Sequence, residues 1–248
     1  LVRDRFGFTV AARTLLLLYC FPYSLYLSSF HTEPLFLCWV VCSFFYAERR
    51  SFGKAALFAA CASATRNVGV LVTLGLATAY LESLRFDLRK IGWESLFLLL
   101  CPLGLGLHML FLWMHTGSPL QFVYSQAAPG WAGGALLAGE TAPSTLQLVW
   151  RFFGHPETVL FVVPSVWLLW RSRRKLPLSY LVWSGVTLLI SMSSPGSLGR
   201  FLTVLFPVFI GAALLPWSRR QLVLLLACFA ILLSIGTARQ VLGMWVAG

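Results

Sequence analysis

Ala62-Ser63-Ala64-Thr65-Arg66-Asn67-Val68-Gly69-Val70 sets one arginine between two apolar runs, residues 55–65 and 68–81. A charged side chain at membrane depth costs several kcal/mol unless a partner or a water-filled cavity receives it. Two topologies accommodate the stretch. Either one long, tilted helix carries Arg66 near its middle, or two short helices meet at a tight turn that holds it. The choice decides the fold, because each crossing reverses the side on which every later loop falls.

The chain has 248 residues, of which 58% are hydrophobic and only 11% charged, and its mean hydropathy is +0.81. A soluble domain is about 25% charged, so this chain lacks the polar residues to cover a water-facing surface. It reads as an all-α polytopic membrane protein, a single transmembrane domain over 1–248. Nine apolar segments follow one another at 15–27, 34–46, 55–65, 68–81, 96–113, 159–170, 176–192, 201–215 and 222–235. Several are shorter than the ~20 residues of a lone spanning helix; tilting, or shielding by neighbouring helices, accommodates them.

Charge fixes the orientation. With the amino end cytosolic and every segment crossing, the cytosolic loops hold Arg3, Arg5 and Arg13; Arg49, Arg50 and Lys54; Arg85, Arg89 and Lys90; Arg171, Arg173, Arg174 and Lys175; and Arg219 and Arg220. Of the 19 Lys and Arg, only Arg66, Arg151, Arg200 and Arg239 fall on the other side, as the positive-inside rule demands. Arg66 therefore sits at a turn on the non-cytosolic face. The single long helix would put the Arg171–Lys175 cluster outside, and is rejected. The net charge of +11 comes in short clusters between apolar runs, the pattern of loops meeting anionic lipid headgroups and not of a nucleic-acid surface. All six cysteines lie in apolar runs without metal-ligand company and read as small buried hydrophobes. No ligand cluster calls for a metal.

One long extracytoplasmic loop, 115–157, is rich in Gly, Pro, Gln and aromatics. Leu146, Val149, Trp150 and Phe153 recur at helical spacing opposite Gln147 and Arg151, which predicts a short helix lying on the membrane surface. The same face collects Phe21-Pro22-Tyr23-Ser24, which breaks the first helix; His31-Thr32-Glu33-Pro34, which opens the second; Arg66-Asn67; Gln121, Gln126 and Trp131 of the long loop; and Arg200 after a Ser/Gly-rich link. Thr32, Glu33 and Pro34 also suit an ordinary helix start, and Arg66 a snorkelling position. Arg200 begins a helix, where the macrodipole disfavours a cation, and a bound anion resolves that conflict. Two arginines on one face suit a lipid-bearing phosphate, because a guanidinium forks onto phosphate oxygens and keeps its charge.

The string from Phe21 to Phe36, with Ser28-Ser29-Phe30-His31-Thr32-Glu33-Pro34-Leu35-Phe36 at its end, resembles a motif of the PIG-V-type mannosyltransferases, which include GPI mannosyltransferase 2 and bacterial relatives. Ala64-Thr65-Arg66-Asn67-Val68-Gly69 is similar to that family's Thr/Val-Arg-x-x-Gly turn. Gly117-Ser118-Pro119-Leu120-Gln121-Phe122 with Gln126 and Trp131 resembles a loop of the bacterial members, and Gly199-Arg200-Phe201 ahead of Phe206-Pro207 an Arg-aromatic…Phe-Pro segment. His31 stands where the family has Tyr. The resemblance spans residues 21–207.

It implies a C-type glycosyltransferase-like bundle with its active site on the lumenal or extracytoplasmic face. The membrane is the endoplasmic reticulum in a eukaryote and the plasma (inner) membrane in a bacterium. The donor substrate is then polyprenyl-phosphate (dolichol-phosphate) mannose, the acceptor a glycolipid such as the GPI-anchor core, and no cofactor is implied. The family's essential acid sits in a Trp-Asp pair in the first outer loop. The only aspartates here are Asp4 and Asp87, so that loop is expected upstream of Leu1, the chain is read as the C-terminal part of a longer one, and residues 1–248 alone are expected to be inactive. Arg66, Asn67, Arg200, His31, Gln121, Gln126 and Trp131 are the expected substrate- and phosphate-binding residues, with Glu33 a secondary catalytic candidate. Two other classes fit the same residues: a transporter or flippase for a lipid-linked anion, whose path buried arginines also mark, and a non-catalytic subunit that works with a small membrane partner.

Overall fold

The computed structural model describes residues 1–126, 156–192 and 198–242, which form helices and turns and no strand. The chain opens with α1 (Val2–Phe6), α2 (Phe8–Cys20) and α3 (Leu25–Ser28), followed by the hairpin of α4 (Glu33–Glu48) and α5 (Phe52–Thr65). A 3-10 turn (Asn67–Leu71) leads into α6 (Val72–Ser83), and two more, Leu88–Lys90 and Trp93–Leu100, precede α7 (Leu103–Thr116) and α8 (Gln121–Gln126). The last part contains α9 (Pro156–Ser172), α10 (Leu178–Ser191), α11 (Leu198–Leu202), α12 (Phe206–Ala213) and α13 (Arg219–Val241).

Three of the expected apolar segments are interrupted beside a proline, and a fourth, 68–81, changes from 3-10 to α at Val72 without one. The first stops at Cys20 and resumes at Leu25, past Pro22; the fifth changes from 3-10 to α at Pro102; the eighth splits into α11 and α12, with Pro207 in the first turn of α12. Proline has no N–H to give a preceding turn; of the residues before these prolines Phe21 also leaves the α region (φ −57, ψ 138), while Cys101 stays in it. The expected loop from 115 is also shorter at both ends. His115 and Thr116 finish α7, residues 121–126 are α8, and Pro156 and Glu157 open α9. The predicted surface helix around residues 146–153 lies outside the described residues.

Two stretches, Trp93–Thr116 and Arg219–Val241, are long and apolar enough to cross a membrane. Phe8–Cys20, Phe52–Thr65, Leu160–Ser172 and Leu178–Ser191 are apolar but shorter, so by length alone the nine-segment expectation is met by two stretches only. The cysteines are free, and the expectation that all are buried fails for Cys38 and Cys228, which are exposed, while Cys101 is buried.

Packing is set by small residues on α5. Ala55, Ala56, Ala59 and Ala62 are fully buried, and this strip lets α4 lie close, with Ser43 Oγ donating to Ala55 O at 2.9 Å. α7 crosses the same helix at Gly104, where a Cβ would stand 2.0 Å from Ala60 O. Ser63 Oγ seals the crossing, donating to Cys101 O at 2.7 Å and accepting from Leu105 N at 3.3 Å. On the far side, Phe44, Tyr180, Trp183 and Phe206 stack and tilt with ring centroids 5.0–5.8 Å apart.

The bundle has two chemically different ends. α4 runs from one to the other, so Glu33 and Glu48 mark them. At the Glu48 end, Glu48 accepts from Tyr180 Oη at 2.7 Å and pairs with Arg5 at 3.4 Å, and Asp4 pairs with Arg49 at 2.8 Å. Glu82 ends α6 there and caps α10, accepting from Leu178 N and Ser179 N at 2.9 and 3.1 Å.

Candidate functional site

The opposite end gathers Glu33, Arg66, Arg200 and His31. Glu33 occupies the first turn of α4 beside Pro34, with Thr32 as the N-cap residue. The Thr32 hydroxyl does not cap the helix; it accepts from Arg66 Nη1 at 3.5 Å instead. The positive end of a 16-residue helix favours a carboxylate at that position. Glu33 is nevertheless only 1% exposed, and a buried carboxylate demands paired charges.

Two arginines supply them. α5 ends at Thr65, and Arg66 takes an extended conformation (φ −147, ψ 140) before the 3-10 turn. Gly69 makes this turn possible: it lies so close against α5 that a Cβ would stand 2.3 Å from Ala62 O. The chain therefore doubles back sharply and sends the Arg66 side chain across to the start of α4, where Nη1 donates to Glu33 Oε1. Arg200 arrives from α11, whose Gly199 presses on the ring of Tyr23, and its Nε donates to the same Glu33 oxygen. Arg200 does not begin its helix as expected: it is the third of the five residues of α11, in the last turn, and Glu33 meets its charge within the chain.

Aromatic rings cover both cations. Arg66 Cζ lies 5.1 Å from the Phe201 ring centroid, and Arg200 Cζ 5.1 Å from that of Tyr26, within the range of cation–π attraction. His31, in the turn before α4, shares a hydrogen bond with Ser29 Oγ through Nδ1 at 2.8 Å and stands edge-on to Tyr26 at 4.9 Å. Burial, and then the Arg200 charge, hold its imidazole below the usual histidine range.

The group carries two positive charges and one negative. Glu33 Oε2 is buried without a hydrogen-bond partner, while the side chains of Arg66 and Arg200 are 14% and 27% exposed. Glu33 is therefore the floor that holds two guanidiniums side by side, and among the described residues the cluster keeps one surplus positive charge where they reach the surface. Such a pair can bind an oxyanion. Through Oε1, Glu33 holds both guanidiniums in place.

The other expected residues stand apart. Asn67 is exposed, and its carboxamide oxygen accepts from Val68 N at 2.8 Å, a local turn bond. Gln121 opens α8, and no hydrogen bond or ion pair among the described residues joins it to the cluster. Gln126 ends the same helix, and Trp131 lies outside the described residues. Tyr26 and Phe201 were missing from the expected set. Phe201 adjoins Arg200 in sequence, but nothing in the sequence shows that its ring covers Arg66. Among the described residues, no group of three His, Cys, Asp or Glu is placed to hold a metal ion.

No protein-family model matches the chain, and neither a curated protein nor a solved structure is found to be similar to it.

Proposed function

We propose that the chain is a multi-pass membrane glycosyltransferase that moves mannose from a polyprenyl-phosphate donor to a lipid-linked glycan, such as the GPI-anchor core. The observation that carries this reading is the sharing of buried Glu33 by Arg66 and Arg200, which leaves one surplus positive charge at the end of the bundle opposite the basic loops. The leaving group of the reaction is an anion, a lipid phosphate, and this is where an anion would be held. The family resemblance of the strings around Glu33, Arg66 and Arg200 supplies the sugar and the carrier. The membrane placement is supported by the apolar outer surface, with Phe111, Met114, Leu224 and Ile231 each more than half exposed, and by the gathering of basic loops at the Glu48 end. That end is cytosolic in this reading, and the arginine pair faces the lumen or the cell exterior.

In the reaction an acceptor hydroxyl oxygen bonds to C1 of mannose, the bond from C1 to the phosphate oxygen breaks, and its electron pair stays on the phosphate. The anomeric centre inverts. The hydroxyl proton passes to a base other than Glu33. Arg66 and Arg200 stabilise the charge that builds on the departing phosphate, and their planar forks fix its orientation.

The test is transfer of labelled mannose from the polyprenyl-phosphate donor by the full-length protein in lipid. A charge-assisted hydrogen bond contributes about 1.5–3 kcal/mol, so Arg66→Ala or Arg200→Ala should each lower kcat/KM about ten- to hundredfold. Turnover by Arg66→Ala equal to the unsubstituted protein refutes the assigned role.

A further inference from the structure

The last turn of α9 and the turn after it carry Arg171, Arg173, Arg174 and Lys175, and α13 opens on Arg219 and Arg220. Between these two stations lies a cleft of about 220 Å³, lined by Arg171, Ser172, Lys175, Leu214, Leu215 and Pro216. The sequence has no Asp or Glu after Glu157, so nothing in this part of the chain neutralises the six cations. Glu82, which reaches the same end of the bundle, has both oxygens on the amides of Leu178 and Ser179.

Two features oppose an anion here, and both are small. α9 and α12 point their carbonyl ends at the cleft, each worth about half a negative charge. Part of that is already spent: Ser172 Oγ donates to Gly211 O at 3.5 Å, and Trp217 Nε1 to Ala212 O at 2.7 Å. With the Glu82 carboxylate added, about two units of negative charge stand against six cations, of which Arg171 and Lys175 line the cleft. The rim is also amphipathic. Trp170 and Trp167 are 59% and 49% exposed on the outer side of α9, and the Arg173 guanidinium lies 4.3 Å from the Trp170 ring centroid. Exposed tryptophans directly below a basic cluster mark the level of the lipid headgroups.

We propose that this cleft binds the phosphate-bearing headgroup of an anionic phospholipid, with the acyl chains lying along Trp167 and Trp170. Basic pockets between membrane helices on the cytosolic side suit such headgroups. The apolar wall of Leu214 and Leu215 and the tryptophan flank favour a lipid over a free phosphate, which would use only the cations. The site is at the opposite end of the bundle from the Glu33 cluster, and its test does not involve sugar transfer.

The experiment is native mass spectrometry of the full-length protein in detergent, titrated with dioctanoyl phosphatidylinositol 4-phosphate, with dioctanoyl phosphatidylcholine as reference and inorganic phosphate as competitor. One saturable inositide is expected, bound more tightly than phosphatidylcholine. Arg171→Ala with Lys175→Ala should weaken it about thirtyfold. Arg85→Ala with Arg89→Ala, which removes the same charge elsewhere at that end, should leave it unchanged. Leu215→Trp keeps every charge and fills the cleft, so it should block binding even if the double substitution fails to fold. The proposal is overturned if the Arg85/Arg89 pair weakens binding as much as the Arg171/Lys175 pair, if phosphatidylcholine binds equally well, or if equimolar inorganic phosphate displaces the lipid.

Discussion

Replacing Glu33 by Gln tests the arginine pair at its foundation. The amide keeps the shape of the carboxylate and can accept from one guanidinium, but it removes the charge that both cations share. Glu33 is 1% exposed, Arg66 14% and Arg200 27%, so Arg66 loses the most and the better-solvated Arg200 less. Leaving a buried charge unpaired costs about 3–5 kcal/mol; about 4 kcal/mol is a fair central value for this half-open cluster. For a chain of 248 residues, that corresponds to a fall in Tm of about 8–16 °C. The assay is the thermal unfolding of purified full-length protein followed by tryptophan emission, to which the buried Trp183 is one contributor. A triple substitution, Glu33→Gln with Arg66→Met and Arg200→Met, removes the stranded cations and should recover most of the loss, because a buried ion cluster replaced whole by apolar groups is often near neutral. If Glu33→Gln melts within about 2 °C of the unsubstituted protein, or if the triple variant is no more stable than the single one, the cluster is not held together as described.

Three further outcomes are expected. Gly69→Ala and Gly104→Ala each force a Cβ within 2.3 Å of a backbone oxygen and should destabilise by about 1–3 kcal/mol or more; Gly106→Ala and Gly185→Ala, where a Cβ meets nothing within 4 Å, should be neutral or stabilising by up to about 1 kcal/mol, and the same melts compare all four. Burial, and then Arg200, lower the pKa of the His31 imidazole in the fold, so the unfolded chain takes up the proton first; stability should fall as the pH drops below about 6.5, and the Tm of His31→Asn should fall less over pH 7.5 to 5.5. Arg50 and Asn67 flank opposite ends of α5, so Arg50→Cys and Asn67→Cys, in a background without the exposed cysteines, should react with an impermeant maleimide from opposite sides of sealed vesicles; labelling of both from one side contradicts the proposed orientation.

Much of the helical layout is legible in the sequence because apolar runs and breakers are local signals. Thr32-Glu33-Pro34 announces the start of α4, and Phe21-Pro22-Tyr23-Ser24 the break after α2. Where the reading of the sequence joined segments that the fold separates, at Pro102 and Pro207, the hydropathy is continuous and only the missing N–H marks the break. Arg13 falls in the second turn of α2, which begins at Phe8, and an apolar count discards the part of a helix that precedes such a charge. The site is legible as a set of residues and not as a geometry. Glu33, Arg66 and Arg200 stand out because charge is scarce in this chain, but no spacing rule says that a single oxygen receives both arginines, or that Tyr26 and Phe201 cover them. Those relations depend on a glycine-tight turn at Gly69 and on the docking of the short helix α11, both of which are tertiary.

Glu33 meets Arg66 33 residues later in the chain and Arg200 167 residues later. During synthesis the α4–α5 hairpin can therefore form with a charge-balanced pair, one carboxylate to one guanidinium, and remain so until α11 is made. The second guanidinium arrives only with α11. In the proposed function, the surplus positive charge beside Glu33 is therefore acquired only when α11 docks, and a chain made no further than Gly199 holds Glu33 and Arg66 as a balanced pair.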